Sequence, residues 1–96
     1  MKPQFAVRTD PHFERLSRGL RKQHPEFDGY FVRAMEILRL DPYNRTRGYG
    51  IKKLRDVSVG DGQYRLRIGR WRFRYDIYGQ EVLLTHCGLR REDTYR

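Results

Sequence analysis

Five arginines fall within residues 62–77, GQYRLRIGRWRFRYDI. Apolar side chains alternate with most of them, which is the pattern of two strands that each have one apolar side. A two-residue turn at residues 69–70 would join these strands, because its first residue is a glycine and readily adopts the positive φ that such a turn needs. The sequence therefore predicts a β-hairpin that carries arginines along one side.

In this hairpin the arginines face one another in pairs, with Arg67 opposite Arg72 and Arg65 opposite Arg74. Like charges placed directly opposite each other cost up to about 1 kcal/mol a pair relative to neutral side chains. Guanidinium groups match phosphate oxygens in bidentate geometry, so a bound polyanion would offset that repulsion. We therefore expect a polyanion-binding surface. The alternative is a solvated basic face, on which the long side chains simply cover the sheet.

The composition supports a folded, strongly basic domain. The chain has 96 residues with a net charge of +9, and aromatic residues make up 14% of it. This length suits one domain with a modest core, so residues 1–96 are expected to form a single domain. The aromatic content argues against disorder. The charge favours nucleic acid, an anionic membrane or an acidic protein as the partner.

Several classes of protein are not expected from this sequence. One cysteine, Cys87, excludes an internal disulfide and a cysteine-based zinc cluster, and it is compatible with a reducing cytosol. No apolar run approaches the eighteen or so residues of a membrane span, and the N-terminus has no apolar signal region. A cytoplasmic location is therefore expected.

The rest of the chain predicts two helices and two more strands. Residues 4–8 (QFAVR) suit a short strand, and Asp10-Pro11 suits the start of a helix that His24-Pro25 interrupts. A second helix of about fourteen residues begins at Phe27 and ends before residues 41–50, DPYNRTRGYG, a turn-rich connection. After the hairpin, residues 79–80 form a turn and residues 81–86 a third strand. The fold class is α+β, in the order β-α-α-β-β-β, with an antiparallel sheet and an α-hairpin packed on one face.

Other polar residues have two interpretations each. In the simplest register His86 lies opposite Phe73 on the helix-covered face, where a core histidine is expected. The spacing of His12 and His24 does not suggest a metal site. A buried thiol is expected for Cys87, whereas Lys52, Lys53 and Arg55, like Tyr43 and Tyr49, are either ligand contacts or ordinary loop residues.

The element order, together with YRLRIGRWRFRYDI and the ending GLRREDTYR, resembles the RelE/ParE superfamily of bacterial and archaeal toxins from toxin–antitoxin systems. The similarity is greatest to the RelE-like branch and covers residues 5–96. It implies a small toxin that enters the ribosomal A site and cuts mRNA there without a metal or other cofactor. In such toxins a 2′-hydroxyl attacks the adjacent phosphate, which leaves a 2′,3′-cyclic phosphate and a free 5′-hydroxyl.

The resemblance also implies site residues and partners. The partners would be the ribosome, its mRNA and an acidic antitoxin that holds the toxin inactive, and the free toxin would be a monomer. No membrane is involved. The catalytic positions that it implies are Arg65, Arg67, Arg72, Arg90, Arg91 and Tyr95, and the further nucleic-acid contacts expected are Lys52, Lys53, Arg55, Arg70 and Arg74.

The proton acceptor of the reaction is not identified by these positions. Arginine is a poor general base because its pKa lies above about 12. Several family members have lysines where this chain has Arg65 and Arg67, which leaves Tyr95 as the best candidate for the base or for stacking on a nucleobase. Two other functions stay open: inhibition of DNA gyrase, as in the ParE-like branch, and RNA binding by a catalytically inactive homologue.

Overall fold

The computed structural model describes residues 4–90. Within them the chain is α+β, with two helices and one five-stranded mixed sheet. The strand order in the sheet is β1-β5-β4-β3-β2. The elements are β1 (Ala6–Thr9), α1 (Pro11–Gln23), α2 (Phe27–Leu40), β2 (Gly50–Lys53), β3 (Tyr64–Ile68), β4 (Trp71–Tyr78) and β5 (Glu81–Leu89).

Both helices begin and end close to the predicted positions. The Asp10 side chain accepts a hydrogen bond of 2.7 Å from the backbone N–H of Phe13, which caps α1, and Pro11 is its first residue. Residues 24–26 join the helices, and α2 has the predicted length of 14 residues. Asp41 ends α2, and its carboxylate then accepts bonds from the backbone N–H groups of Arg45 and Thr46, which shapes the following loop.

The predicted hairpin is confirmed with its register. Arg67 pairs with Arg72 and Arg65 pairs with Arg74 across β3 and β4. Gly69 in the turn has φ of 58°, the left-handed conformation that the prediction required of it. The third predicted strand also forms, but it continues to Leu89 instead of ending at residue 86.

Two features of the predicted sheet are wrong. An additional strand, β2, follows the turn-rich connection and pairs antiparallel with β3, so the order is β-α-α-β-β-β-β. The sheet is mixed and not antiparallel, because β1 pairs with β5 in parallel. β1 and β5 are far apart in sequence, with α1 and α2 among the elements between them. This long connection allows the two strands to run in the same direction.

The core lies between the helices and one side of the sheet. Phe13 and Ala34 are buried on α1 and α2, and Phe27 at the start of α2 has its ring centroid 5.2 Å from that of Trp71. The Tyr75 hydroxyl donates a 2.7 Å hydrogen bond to the carbonyl of Pro42, which ties the loop after α2 to the sheet. Sheet residues of this core are Leu66, Trp71, Phe73, Tyr75, Val82, Leu84 and Cys87. The opposite side of the sheet is therefore left to the arginines.

Across residues 4–90, neither helix has the length and apolar character that a membrane crossing requires.

Candidate nucleic-acid interface

The side of the sheet that faces away from the helices carries the paired arginines, and we call it the arginine face. The strand register shows which side chains lie on this face, because alternate residues of a strand point to opposite sides of the sheet. Two rows cross the strands from β2 to β5, about 7 Å apart along the strands. The first row is Lys52, Arg65, Arg74 and His86, and the second is Gly50, Arg67, Arg72 and Gly88.

The second row places two arginines between two glycines. Gly88 has no heavy atom of the described residues within 4 Å of the position that a Cβ would take, so the surface beside Arg72 is a shallow floor. Arg67 is exposed, and Arg72 is partly buried. The row thus presents cationic groups beside a space that no neighbouring side chain of residues 4–90 fills.

Arg90 extends the arginine face at the hairpin turn. Its backbone N–H donates a 2.7 Å hydrogen bond to the carbonyl of Arg70, which continues the ladder one residue beyond the Trp71–Leu89 pair. Both Arg70 and Arg90 are exposed. Arg70, in the hairpin turn, lines a small cavity together with His24 and Tyr30 of the helical side, so Arg90 alone extends the arginine face here.

The three nucleic-acid contacts predicted in and after β2 lie in different places in the structure. Lys52 pairs with Arg65 and lies on the arginine face. Lys53 pairs with Tyr64 on the other side, and its Nζ lies 5.8 Å from the centroid of that ring. Arg55 is exposed in the turn after β2. The three residues thus do not form one cluster on the arginine face.

Arg74 lies on the arginine face, but its guanidinium group holds a loop. Its Nε donates to the carbonyl of Gly62 at 3.1 Å, and its Nη2 donates to the carbonyl of Asp61 at 2.8 Å. Next to it, the buried carboxylate of Asp76 accepts hydrogen bonds from the backbone N–H groups of Gly62 and Gln63, both at 3.0 Å. Segment 61–63 is thereby fixed over one end of the face, a role that the strand pattern did not indicate.

The predicted position of His86 is wrong. A bulge in β5 next to the Arg74 and Tyr75 pairs shifts the register by one residue, so Phe73 lies opposite Cys87 and His86 lies opposite Arg74. The register therefore places His86 on the arginine face, at its border with α1, where the His86 ring contacts that of His12. Local sequence contains no clear signal for this bulge, because the apolar run in β5 fits either register.

The remaining expectations concern Cys87, a metal site and the C-terminal residues. Burial raises the pKa of the Cys87 thiol to about 12, so this cysteine is a core residue, as expected. No group of three or more metal-ligating side chains occurs within residues 4–90. Arg91 and Tyr95, two of the predicted catalytic residues, lie outside the described residues.

Comparison with known proteins gives no match to a family model, to a curated protein or to a solved structure.

Proposed function

We propose that this chain is the toxin of a toxin–antitoxin system and cuts mRNA on the ribosome. The observation that carries the proposal is the arginine face, on which Arg67 lies directly opposite Arg72 beside the floor at Gly88. Such an arrangement concentrates positive charge on two neighbouring strands. It suits a phosphodiester that lies across the two strands.

The chemistry of cleavage gives these cations a role. Attack by a 2′-hydroxyl builds negative charge on a pentacovalent phosphorane, and fixed cations that face this group stabilise it more than they stabilise the substrate. Arg67 and Arg72 are assigned to that phosphorane, with Arg90 or Arg91 beside them. Arg65, one row away, is assigned to an adjacent phosphate of the same strand, because the RNA backbone continues past the scissile bond.

The partners follow from the same surface. A chain of net charge +9 is attracted to ribosomal RNA and to an acidic protein alike. The antitoxin is therefore proposed to be acidic and to compete with RNA for this chain. The proposed toxin is a cytoplasmic monomer that uses no metal.

Cleavage in a translating extract tests this function. Purified protein is added to the extract, and the 5′ ends of messages are mapped by primer extension. Wild type should produce new ends within ribosome-covered codons, whereas Arg72→Ala should abolish them while the variant stays folded.

A control variant shows whether the loss of any one positive charge is enough to reduce cleavage. Arg18→Ala removes an exposed arginine from α1, on the helical side of the molecule, and should leave cleavage unchanged. Intact messages with wild type would overturn the proposal. Inhibition of purified DNA gyrase by the same sample would assign the chain to the gyrase-poisoning branch instead.

A further inference from the structure

We propose that His86 is the general base of the mRNA cleavage, which takes the proton from the attacking 2′-hydroxyl. This inference rests on the proposed function and adds the group that the arginines cannot supply. Its basis is the position of His86 on the arginine face, opposite Arg74 and two residues from Gly88. The sequence pattern had placed this side chain in the core.

The neighbours of Gly88 outline a site of the right composition. Arg72 pairs with Gly88 across the ladder. His86 in β5 and Arg90, directly after β5, flank Gly88 on the same side of the chain. His86 is thus a diagonal neighbour of Arg72, about 7 Å away. A phosphodiester seated on the floor at Gly88 would have a guanidinium group on one side and an imidazole on another.

The proposal assigns the Thr85 hydroxyl proton to the carbonyl of Arg74, and this assignment selects the basic nitrogen of His86. The Thr85 hydroxyl donates to the carbonyl of Arg74 at 3.4 Å, and its oxygen lies 2.9 Å from Nδ1 of His86. A hydroxyl that donates its one proton to the carbonyl must accept from Nδ1–H. The neutral imidazole then has its lone pair on Nε2, which is the atom that can accept a proton.

The surroundings keep this imidazole neutral. Burial lowers the pKa of His86, and the charge of Arg74 and the neighbouring His12 lower it further, against weaker opposite effects of Asp10 and Asp61. The His12 ring is in edge contact, with its centroid 4.6 Å from that of His86, and its Nδ1 lies 3.0 Å from the carbonyl of Thr85. A neutral imidazole at neutral pH is the form that a general base needs.

Other groups on the arginine face are less suited to this step. Lys52 and the arginines are cations at neutral pH. The carboxylate of Asp76 is buried and already accepts two backbone hydrogen bonds. Among the described residues of this face, His86 is therefore the side chain that is both basic and neutral.

The proposed step balances as follows. Nε2 of His86 takes the 2′-hydroxyl proton while the 2′ oxygen forms a bond to phosphorus. The bond from phosphorus to the 5′ oxygen breaks, and that oxygen takes a proton from water. The imidazolium then returns its proton to the solvent, so the products are the 2′,3′-cyclic phosphate and the 5′-hydroxyl.

The test combines a substitution with two pH titrations. His86→Gln should cut messages in the translating extract about 100-fold to 10,000-fold more slowly than wild type, the usual effect of losing a general base, with unchanged ribosome binding. His24→Gln, which changes a histidine at the end of α1, is the matched control and should cut normally. Thr85→Val should lose a smaller factor, about tenfold, because it removes only the group that selects the tautomer.

The pH dependence of the cleavage rate distinguishes a catalytic role of His86 from a structural one. Wild-type single-turnover cleavage should fall on the acid side with an apparent pKa equal to that of His86, measured by NMR from its assigned imidazole resonances. His86→Gln should lose that limb. If this variant does not fold, the agreement between the two wild-type titrations is itself the test.

The failure of this inference can be distinguished from failure of the proposed function. Wild-type protein that cuts no message overturns both. Wild-type cleavage with an undiminished His86→Gln rate, or with an acid limb that does not match the His86 titration, overturns the role of His86 alone.

Discussion

Arg67 lies directly opposite Arg72 in the antiparallel ladder between β3 and β4, on the side of the sheet that faces away from the helices. The two residues repel each other, and neutral side chains at these positions would form an equally good strand pair. We propose that this pair is arranged for a ligand, the phosphates of an RNA strand.

Replacement of Arg67 by glutamine should therefore stabilise the protein. Arg67 is exposed and makes no hydrogen bond or ion pair within residues 4–90, so its loss removes repulsion without removing a described contact. The free energy of unfolding should rise by up to about 1 kcal/mol, as measured by urea denaturation. Cleavage of mRNA by the same variant should fall.

The control for this prediction is Arg18→Gln on α1, which should change neither quantity measurably. A destabilised Arg67→Gln variant would show that this arginine supports the fold, and the functional interpretation of the pair would be lost.

The hairpin was predictable from sequence because residues close together in the chain specify both its strands and its turn. Alternation of apolar and charged residues defines the two strands, and a glycine at the first turn position then specifies which residues face each other. Asp10 and Pro11 define the start of α1 in the same way. These short-range signals were sufficient to place four arginines on one side of the sheet.

The features that were missed depend on distant parts of the chain. β2 has one apolar residue, Ile51, in four, and it is a strand because β3 offers a free edge. The parallel pairing of β1 with β5 joins residues more than seventy positions apart. The bulge that moves His86 onto the arginine face lies where Thr85 packs against segment 61–63, a contact that an apolar pattern does not contain.

Arg74 should act on stability and not on RNA binding. Its guanidinium group donates to the carbonyls of Asp61 and Gly62, so Arg74→Gln should lower the free energy of unfolding by about 1–2 kcal/mol. The salt dependence of RNA affinity measures phosphate contacts, and its logarithmic slope should be unchanged in this variant. Arg67→Gln should reduce the slope by about one. Equal reductions in both variants would assign Arg74 to the phosphates as well.

Asp41 should make the protein sensitive to acid. Burial raises its pKa, but hydrogen bonds from the hydroxyl and backbone of Thr46 and from the backbone of Arg45 outweigh this effect and lower it overall. A carboxylate with a lowered folded-state pKa contributes stability above its unfolded pKa and loses that contribution as pH falls through the folded value. Wild type should therefore exceed Asp41→Asn in stability at pH 6, and the difference should shrink below about pH 4. Urea denaturation across pH 2–6 measures this, and a constant difference would contradict it.

Cys87 should be unreactive in the folded protein. With a pKa of about 12, its thiol has about one part in ten thousand as thiolate at pH 8, and the side chain is buried. Iodoacetamide should modify it slowly in buffer and rapidly in denaturing urea, as followed by mass spectrometry. Rapid modification without denaturant would show that β5 opens at this position.

The chemistry of the RNA ends tests the central claim most directly. Messages recovered from ribosomes after addition of the protein are labelled by polynucleotide kinase without prior phosphatase treatment, which detects 5′-hydroxyl ends, and the matching 3′ ends are analysed for the cyclic phosphate. We predict both kinds of end at ribosome-covered codons with wild type, and neither with Arg72→Ala. Messages that stay intact with the wild-type protein, or ends that carry a 5′-phosphate, would contradict the assignment of the arginine face to RNA cleavage.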